Sequence, residues 1–379
     1  MTAIAPTRAD APAKHPRAAR KERRLPPGTP VTKLTLHKVA SSTCGRVFDR
    51  DIEVCDGGPV LPGDIVVVEA LEEKRVYDQL ELITGRLAHI SKDDVIAGTI
   101  GSRRALKGFV GDSPAHVRAG DTLNILNMGG VIGVATSANQ DYGHPLRVKV
   151  LGLAVRNGRV LNIGDDAIPP ANRLKVKLPI IVVAGSCMAA GKTRAACEII
   201  AWLNQRGFRL GALKLSGVAA LRDTLNMEDH GAVDALSFLD AGHPSTAGFD
   251  DLAPMAKGLL NTIAAQNTLD GIVVEMGDGI IGGYGVQSFY KDAELRKAVT
   301  VHIMCANDLV AAWGACQIAH QLGRDIDIMS GPATDNQVGE EYVEKELGIP
   351  AANARTAGER LADLVAVRCF KNKEKERKS

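Results

Sequence analysis

Nine consecutive residues, Gly185-Ser186-Cys187-Met188-Ala189-Ala190-Gly191-Lys192-Thr193, bring together what phosphate binding needs. Glycines let backbone N–H groups curl around phosphate oxygens, a lysine reaches the terminal phosphates, and a threonine hydroxyl ligates Mg²⁺. The run follows the apolar stretch Pro179–Ala184 and precedes an Ala-rich helical stretch. A helix starting there turns its positive N-terminal end toward the anion. The strict phosphate-loop spacing asks for its first glycine at position 186, where this chain has serine, with Gly185 one residue earlier. All nine positions are expected to line the nucleotide.

Further polar residues stand where other strands are expected to end. Lys214 stands near the end of the run Leu210–Leu215, ahead of Ser216-Gly217, and Glu275 closes Gly271–Glu275. Asn307 and Asp308 follow Val299–Cys305, and Asp335 and Asn336 follow Ile326–Ser330. In a doubly wound sheet the carboxyl ends of neighbouring strands form one crevice, where ligands sit. A phosphate cradle, two cations (Lys192 and Lys214) and a metal-binding carboxylate (Glu275) describe phosphoryl transfer or acyl-phosphate formation. Lys192, Lys214, Asp223 and Glu275 are the candidate catalytic residues, and Thr193 and Glu275 the candidate Mg²⁺ ligands. Asn307 and Asp335 are candidate cofactor contacts, with Asp335 or Asn336 expected at the base. Asp223 has a plainer reading as a helix N-cap.

The elements that must position these groups read as an α/β fold. From residue 171 to 370, apolar strand-like runs alternate with helical stretches, the pattern of a mostly parallel, doubly wound sheet. The helical stretches are Thr193–Gln205, a long region after Leu215, Val310–Leu322 and Gly358–Phe370. Residues 31–170 instead carry short β-type runs broken by Gly, Pro and Asp, which suggests a β-rich barrel or sandwich. Two of its strands follow similar turns, Pro62-Gly63-Asp64 and Ala119-Gly120-Asp121, a hint of internal duplication. The basic stretch Arg103–Gly108 is a candidate anion loop. Ile168-Pro169-Pro170 reads as the linker between the two domains.

Composition sets the outer bounds. The 379 residues carry 45% hydrophobic and 24% charged side chains, as ordinary globular proteins do. No apolar run approaches the ~18 residues of a spanning helix. The net charge of +2 hides an asymmetry. Residues 1–30 carry seven Lys/Arg against two Asp/Glu, and residues 368–379 carry six against two, so the body between them is mildly acidic. Residues 1–30 and 371–379 therefore read as basic solvated tails, and the acidic body argues against nucleic acid as the main ligand. Seven cysteines without a CxxC pair fit neither a disulfide framework nor a zinc cluster, and a reducing cytoplasm is the expected location. Trp313 on an Ala/Gly-rich helix is expected in packing or in a homo-oligomer contact.

The displaced glycine carries a family likeness. The loop resembles the Gly-Thr-Asp-x-x-x-Gly-Lys-Thr form of dethiobiotin synthetase and its relatives in the signal-recognition/MinD/BioD class of P-loop proteins. Lys214-Leu215-Ser216-Gly217 is similar to that enzyme's Lys-Pro-x-x-Ser-Gly segment, and Glu275-Met276-Gly277-Asp278-Gly279 to its Glu-Gly-Ala-Gly-Gly. Met276 and Asp278 depart from the latter. The resemblance implies an ATP- and Mg²⁺-dependent ligase or kinase acting on a small carboxylate- or amine-bearing metabolite. The same loop, with Glu275–Gly279 and Tyr284-Gly285-Val286, also resembles the D-glutamate N-acetyltransferase family. That likeness implies an amino-acid N-acyltransferase holding acetyl-CoA at the loop. A third expectation is a switch-type ATPase. Both likenesses cover the C-terminal half only.

Overall fold

A computed structural model describes residues 23–371 of the chain. Both basic ends, at 1–22 and 372–379, lie outside the described residues. Contacts divide the chain into two units at Pro169/Pro170, and the segments Val218–Arg222 and Phe238–Ala247 group with the first.

In the second unit, Val/Ile-rich runs become strands buried on both faces, which is why they read as continuous apolar stretches rather than alternating ones. These are β8 (Ile180–Gly185), β9 (Leu210–Lys214), β10 (Ala235–Ser237), β11 (Gly271–Glu275), β12 (Val299–Cys305) and β13 (Ile328–Ser330). They form one six-stranded sheet in the order β10-β9-β11-β8-β12-β13. Every pairing in it is parallel. The phosphate-loop strand β8 is thus central, with Glu275 at the end of one neighbour and Cys305 at the end of the other.

Helices connect the strands. α1 (Lys192–Gln205) buries Ala195, Ala196, Ile199, Ile200 and Leu203, a stripe with helical spacing. It packs with α5 (Gly358–Cys369), whose Leu361, Ala362, Val365 and Ala366 share the same core. Phe208 and Phe370 stack with ring centroids 4.4 Å apart. α2 (Arg222–Asp229), α3 (Ala253–Gln266) and α4 (Leu309–Gln321) complete the main set. Trp313 on α4 is 52% exposed, so it does not pack in this unit's core. The long helical region expected after Leu215 is broken by β10, whose three residues are too few for any periodicity to register.

The first unit is built on strands. β1 (Val31–Thr35) and β2 (Asp51–Cys55) lead to β3 (Ile65–Ala70), β4 (Val95–Ile100), β5 (Thr122–Ile125), β6 (Val131–Ala138) and β7 (Arg147–Arg156). β3 pairs β4, β4 pairs β6, β6 pairs β5, β5 pairs β7, and β7 returns to β3. The pairing therefore closes on itself, and closure removes the exposed edges an open sheet would carry. Val66, Val68, Ile96, Ile100, Ile132, Val148 and Val150 fill its core.

The turn hinted at by Asp64 and Asp121 occurs three times. Asp64 accepts from Leu61 N–H at 2.8 Å, Asp94 from Ser91 at 2.7 Å and Asp121 from Arg118 at 2.8 Å. In each, the aspartate carboxylate ties back to the N–H three residues earlier, and a strand of the closed set follows directly. The residue before the aspartate takes positive φ: Gly63 (+93°), Asp93 (+66°) and Gly120 (+95°). Sequence inspection misses the middle turn because aspartate stands in the glycine position. In the basic stretch, Arg104 pairs with Asp112, and Arg103 lies over the Tyr77 and Phe109 rings at 5.3 and 5.9 Å.

Candidate phosphate-binding site

The loop between β8 and α1 has the strand–loop–helix setting that a phosphate cradle requires. Ser186 continues the ladder, donating its N–H to Cys305 O at 2.9 Å, and it does not take positive φ. Positive φ falls later, at Ala189 (+60°) and at Gly191 (+91°), the residue before the helix. The glycine at 185 answers to space rather than to backbone angle. A Cβ there would lie 2.8 Å from the Lys192 side chain. Serine is thus accommodated at 186 with the turn intact.

Lys192 is buried, and its ammonium donates to the loop's own Cys187 carbonyl at 2.7 Å. Burial lowers its pKa, and the neighbouring Lys214 charge pushes the same way. A bound anion beside Lys192 would relieve both effects. Asn307 lies beside the loop, its N–H donating to Ser186 Oγ at 3.3 Å and its amide to Cys187 Sγ at 2.8 Å.

Behind the loop, Glu275 gathers the other groups. Its Oε1 accepts from Thr193 Oγ1 at 2.8 Å and from Lys214 Nζ at 2.6 Å. Lys214 also pairs with Asp223 at 2.8 Å, so Asp223 lies in the first turn of α2 with its carboxylate turned to the ammonium. Burial works against the Lys214 charge, yet Asp223 and Glu275 together hold its pKa well above the ordinary lysine value. Burial raises the Glu275 carboxyl, opposed mainly by Lys214. Glu275 Oε2 is buried and makes no hydrogen bond. An orphaned carboxylate oxygen beside a threonine hydroxyl at a helix start is a donor pair that suits Mg²⁺. Among the described residues no group of three or more His, Cys, Asp or Glu is arranged to hold a metal. A divalent ion here would therefore draw most of its ligands from phosphate oxygens and water.

Two glycines let the chain after β11 run between neighbours. A Cβ at Gly277 would lie 2.0 Å from Ser216 O, and one at Gly279 would lie 2.4 Å from Ser186 O. Ser216 Oγ also accepts from Gly277 N–H at 2.9 Å. The Gly-x-Gly spacing puts the two close approaches on opposite sides, one toward the Lys214 strand and one toward the phosphate loop.

Other candidates have local roles. Asp308 caps α4, accepting from Ala311 N–H at 2.7 Å. Asn336 caps the short helix Gln337–Glu341 through Gly339 N–H at 3.2 Å. Asp335 accepts from Asn353 at 2.6 Å, and the same Asn353 amide donates to Gly331 O at 3.0 Å. Gly331 itself abuts the loop, since a Cβ there would lie 2.5 Å from Ala190 O. Asn353 and Gly331 escape sequence inspection: one lies far along the chain, and the other is one glycine among 39.

No family model and no curated protein matches the chain. Among solved structures it is similar to the signal recognition particle 54 kDa protein from Aeropyrum pernix K1 in complex with GDP. The identity is 16% over 54% of this chain and 49% of that one, with a TM-score of 0.33. It is also similar to chloroplast FtsY from Physcomitrella patens, at 12% identity over 50% and 66% of the two chains and a TM-score of 0.33. A third is the cell division protein FtsY from Thermotoga maritima, at 13% identity over 52% and 70% and a TM-score of 0.34. The chain spans about half the length of the first of these. Among the described residues no helix is long and apolar enough to cross a membrane.

Proposed function

We propose that the second unit binds ATP with Mg²⁺ and transfers its γ-phosphoryl group to a small carboxylate- or amine-bearing metabolite. The observation that carries this reading is the shared Glu275 Oε1, bonded by the metal-type hydroxyl of Thr193 and by the Lys214 ammonium, with Oε2 left unpartnered. A carboxylate that only paired a lysine would have no need of Thr193 or of an orphaned oxygen. Bound nucleotide with Mg²⁺ would supply the electrophilic phosphoryl group. Lys192, released from the Cys187 carbonyl, would pair the terminal phosphates. Lys214, kept protonated by Asp223, would face the charge that develops on transfer.

The test is turnover of nucleotide by the full chain, with ATP and GTP in parallel, against Lys192→Ala. Turnover in the parent falling by at least about a hundredfold in the variant is the expected result. Undiminished turnover in Lys192→Ala ends the proposal. A panel of small carboxylates and amines then separates the readings. Release of ADP that depends on an acceptor supports a ligase or kinase, and slow release without one supports a switch-type ATPase. Calorimetric binding of acetyl-CoA without ATP binding supports the N-acyltransferase reading instead.

A further inference from the structure

Arg103 of the first unit is 4% exposed, and among the described residues no carboxylate pairs with it. Its Nη1 donates to Leu126 O, and its buried Nε makes no hydrogen bond. The arginine beside it is matched, since Arg104 pairs with Asp112. A charge taken out of water is ordinarily met by an opposite charge or by a full set of hydrogen bonds. One carbonyl and the faces of two rings leave the Arg103 guanidinium short of both.

The surroundings hold this guanidinium rigidly. The Tyr77 ring meets Phe109 and Tyr142 edge to face, with centroids 4.8 and 5.4 Å away. Tyr77 itself takes φ +61°, a left-handed conformation that costs a bulky residue and persists only where packing imposes it. Lys74 brings a second cation: its Nζ lies 5.5 Å from the Phe109 centroid and donates to Tyr142 O at 3.0 Å. Burial lowers the Lys74 pKa, opposed by Glu72, which is itself paired with Arg147 at 2.9 Å. Gly108 leaves space at the far end of the guanidinium, since a Cβ there would lie 2.8 Å from Arg103 Nη2.

We propose that Arg103 anchors an oxyanion site in the first unit, taking the phosphate or carboxylate group of a small ligand. Nε–H and Nη2–H form the side of a guanidinium that grips two oxygens of one such group. Lys74 adds its charge, and the rings keep water away, so the attraction exceeds that at an open surface. The site lies within the first unit and is independent of the function proposed for the second.

The experiment uses the full-length chain carrying Lys192→Ala, so that the phosphate loop does not mask a second site, with and without Arg103→Met. Inorganic phosphate and acetate are titrated separately, with chloride holding the ionic strength constant. The Arg103 Nε–H resonance and the melting temperature follow each titration. A saturable shift of that resonance with at least one of the two anions is the expected result. The Kd taken from melting should be weaker by about tenfold or more in Arg103→Met, the loss of charge-assisted hydrogen bonds. The anion that binds more tightly identifies the group the ligand carries. No saturable shift with either anion overturns the proposal. So does an equal melting response in the two chains, which is what general exclusion of salt from the surface would give. If Arg103→Met does not fold, Gly108→Ala replaces it: a methyl at Nη2 should weaken the anion by about tenfold, and an unchanged Kd overturns the site. The resonance titration needs neither variant and decides the matter alone if both fail to fold.

Discussion

Lys214 Nζ lies 2.6 Å from Glu275 Oε1 with both side chains buried, and this pair joins the second strand of the parallel sheet to the strand beside the phosphate loop. Burial makes the pair costly to break from one side. Lys214→Met should destabilise the folded chain by about 3–5 kcal/mol, because Glu275 is left charged and uncompensated. Adding Glu275→Gln to that variant should recover much of the loss. Chemical denaturation of the two variants checks it, and equal midpoints would contradict the pairing argument.

Gly279 approaches the backbone of Ser186, which cannot rotate away as a side-chain tip would. Gly279→Ala should displace the phosphate loop and cost roughly 1–3 kcal/mol as an overpacked contact. Nucleotide affinity should fall with it, while Gly314→Ala, inside α4 where a Cβ meets nothing within 4 Å, should leave affinity unchanged and raise stability by up to about 1 kcal/mol. Titration calorimetry and thermal melting provide the comparison.

Burial lowers the His302 pKa to about 4 from 6.5, and the ring accepts from Tyr290 OH at 3.0 Å while its other nitrogen meets Asp325 O at 3.2 Å. The unfolded chain therefore takes up a proton near pH 6.5 that the folded chain refuses until about pH 4. Stability should fall as pH drops through this window, by at most about 3 kcal/mol, and level off below it. His302→Gln should flatten that part of the curve, and denaturation midpoints from pH 7 to pH 4 would reveal a slope that survives the substitution.

Asp93 holds positive φ in an exposed turn where the two sister turns use glycine. Asp93→Gly should stabilise the chain by about 0.5 kcal/mol, the relief of left-handed strain exceeding the added chain entropy. Gly120→Ala, with open space around its Cβ position, should instead cost about 1 kcal/mol. Melting temperatures of opposite sign for the two variants are the expected result.

Much of the second unit was legible because its strands are buried on both faces, so composition alone marks Ile180–Gly185 and Gly271–Glu275. The phosphate loop announced itself through contiguous residues. Glu275 and Lys214 were reachable because each stands at or near the end of an apolar run. Asp335 and Asp308 also close or follow such runs, yet one is held by Asn353 and the other caps a helix. Strand-end position marks a crevice, whereas the partner a side chain finds there depends on neighbours far along the chain.

The local chemistry is written in contiguous residues: a Gly-Lys-Thr loop between strand and helix, and carboxylates and cations at strand ends. Local signals suffice there because backbone angles, burial pattern and side-chain type all act within a few residues. Packing of the whole chain is what makes Thr193 and Lys214 share one oxygen of Glu275 and turns Asp223 to Lys214. Those contacts bridge as many as 82 positions in the chain, and no periodicity or spacing encodes which distant atoms meet once the strands have packed.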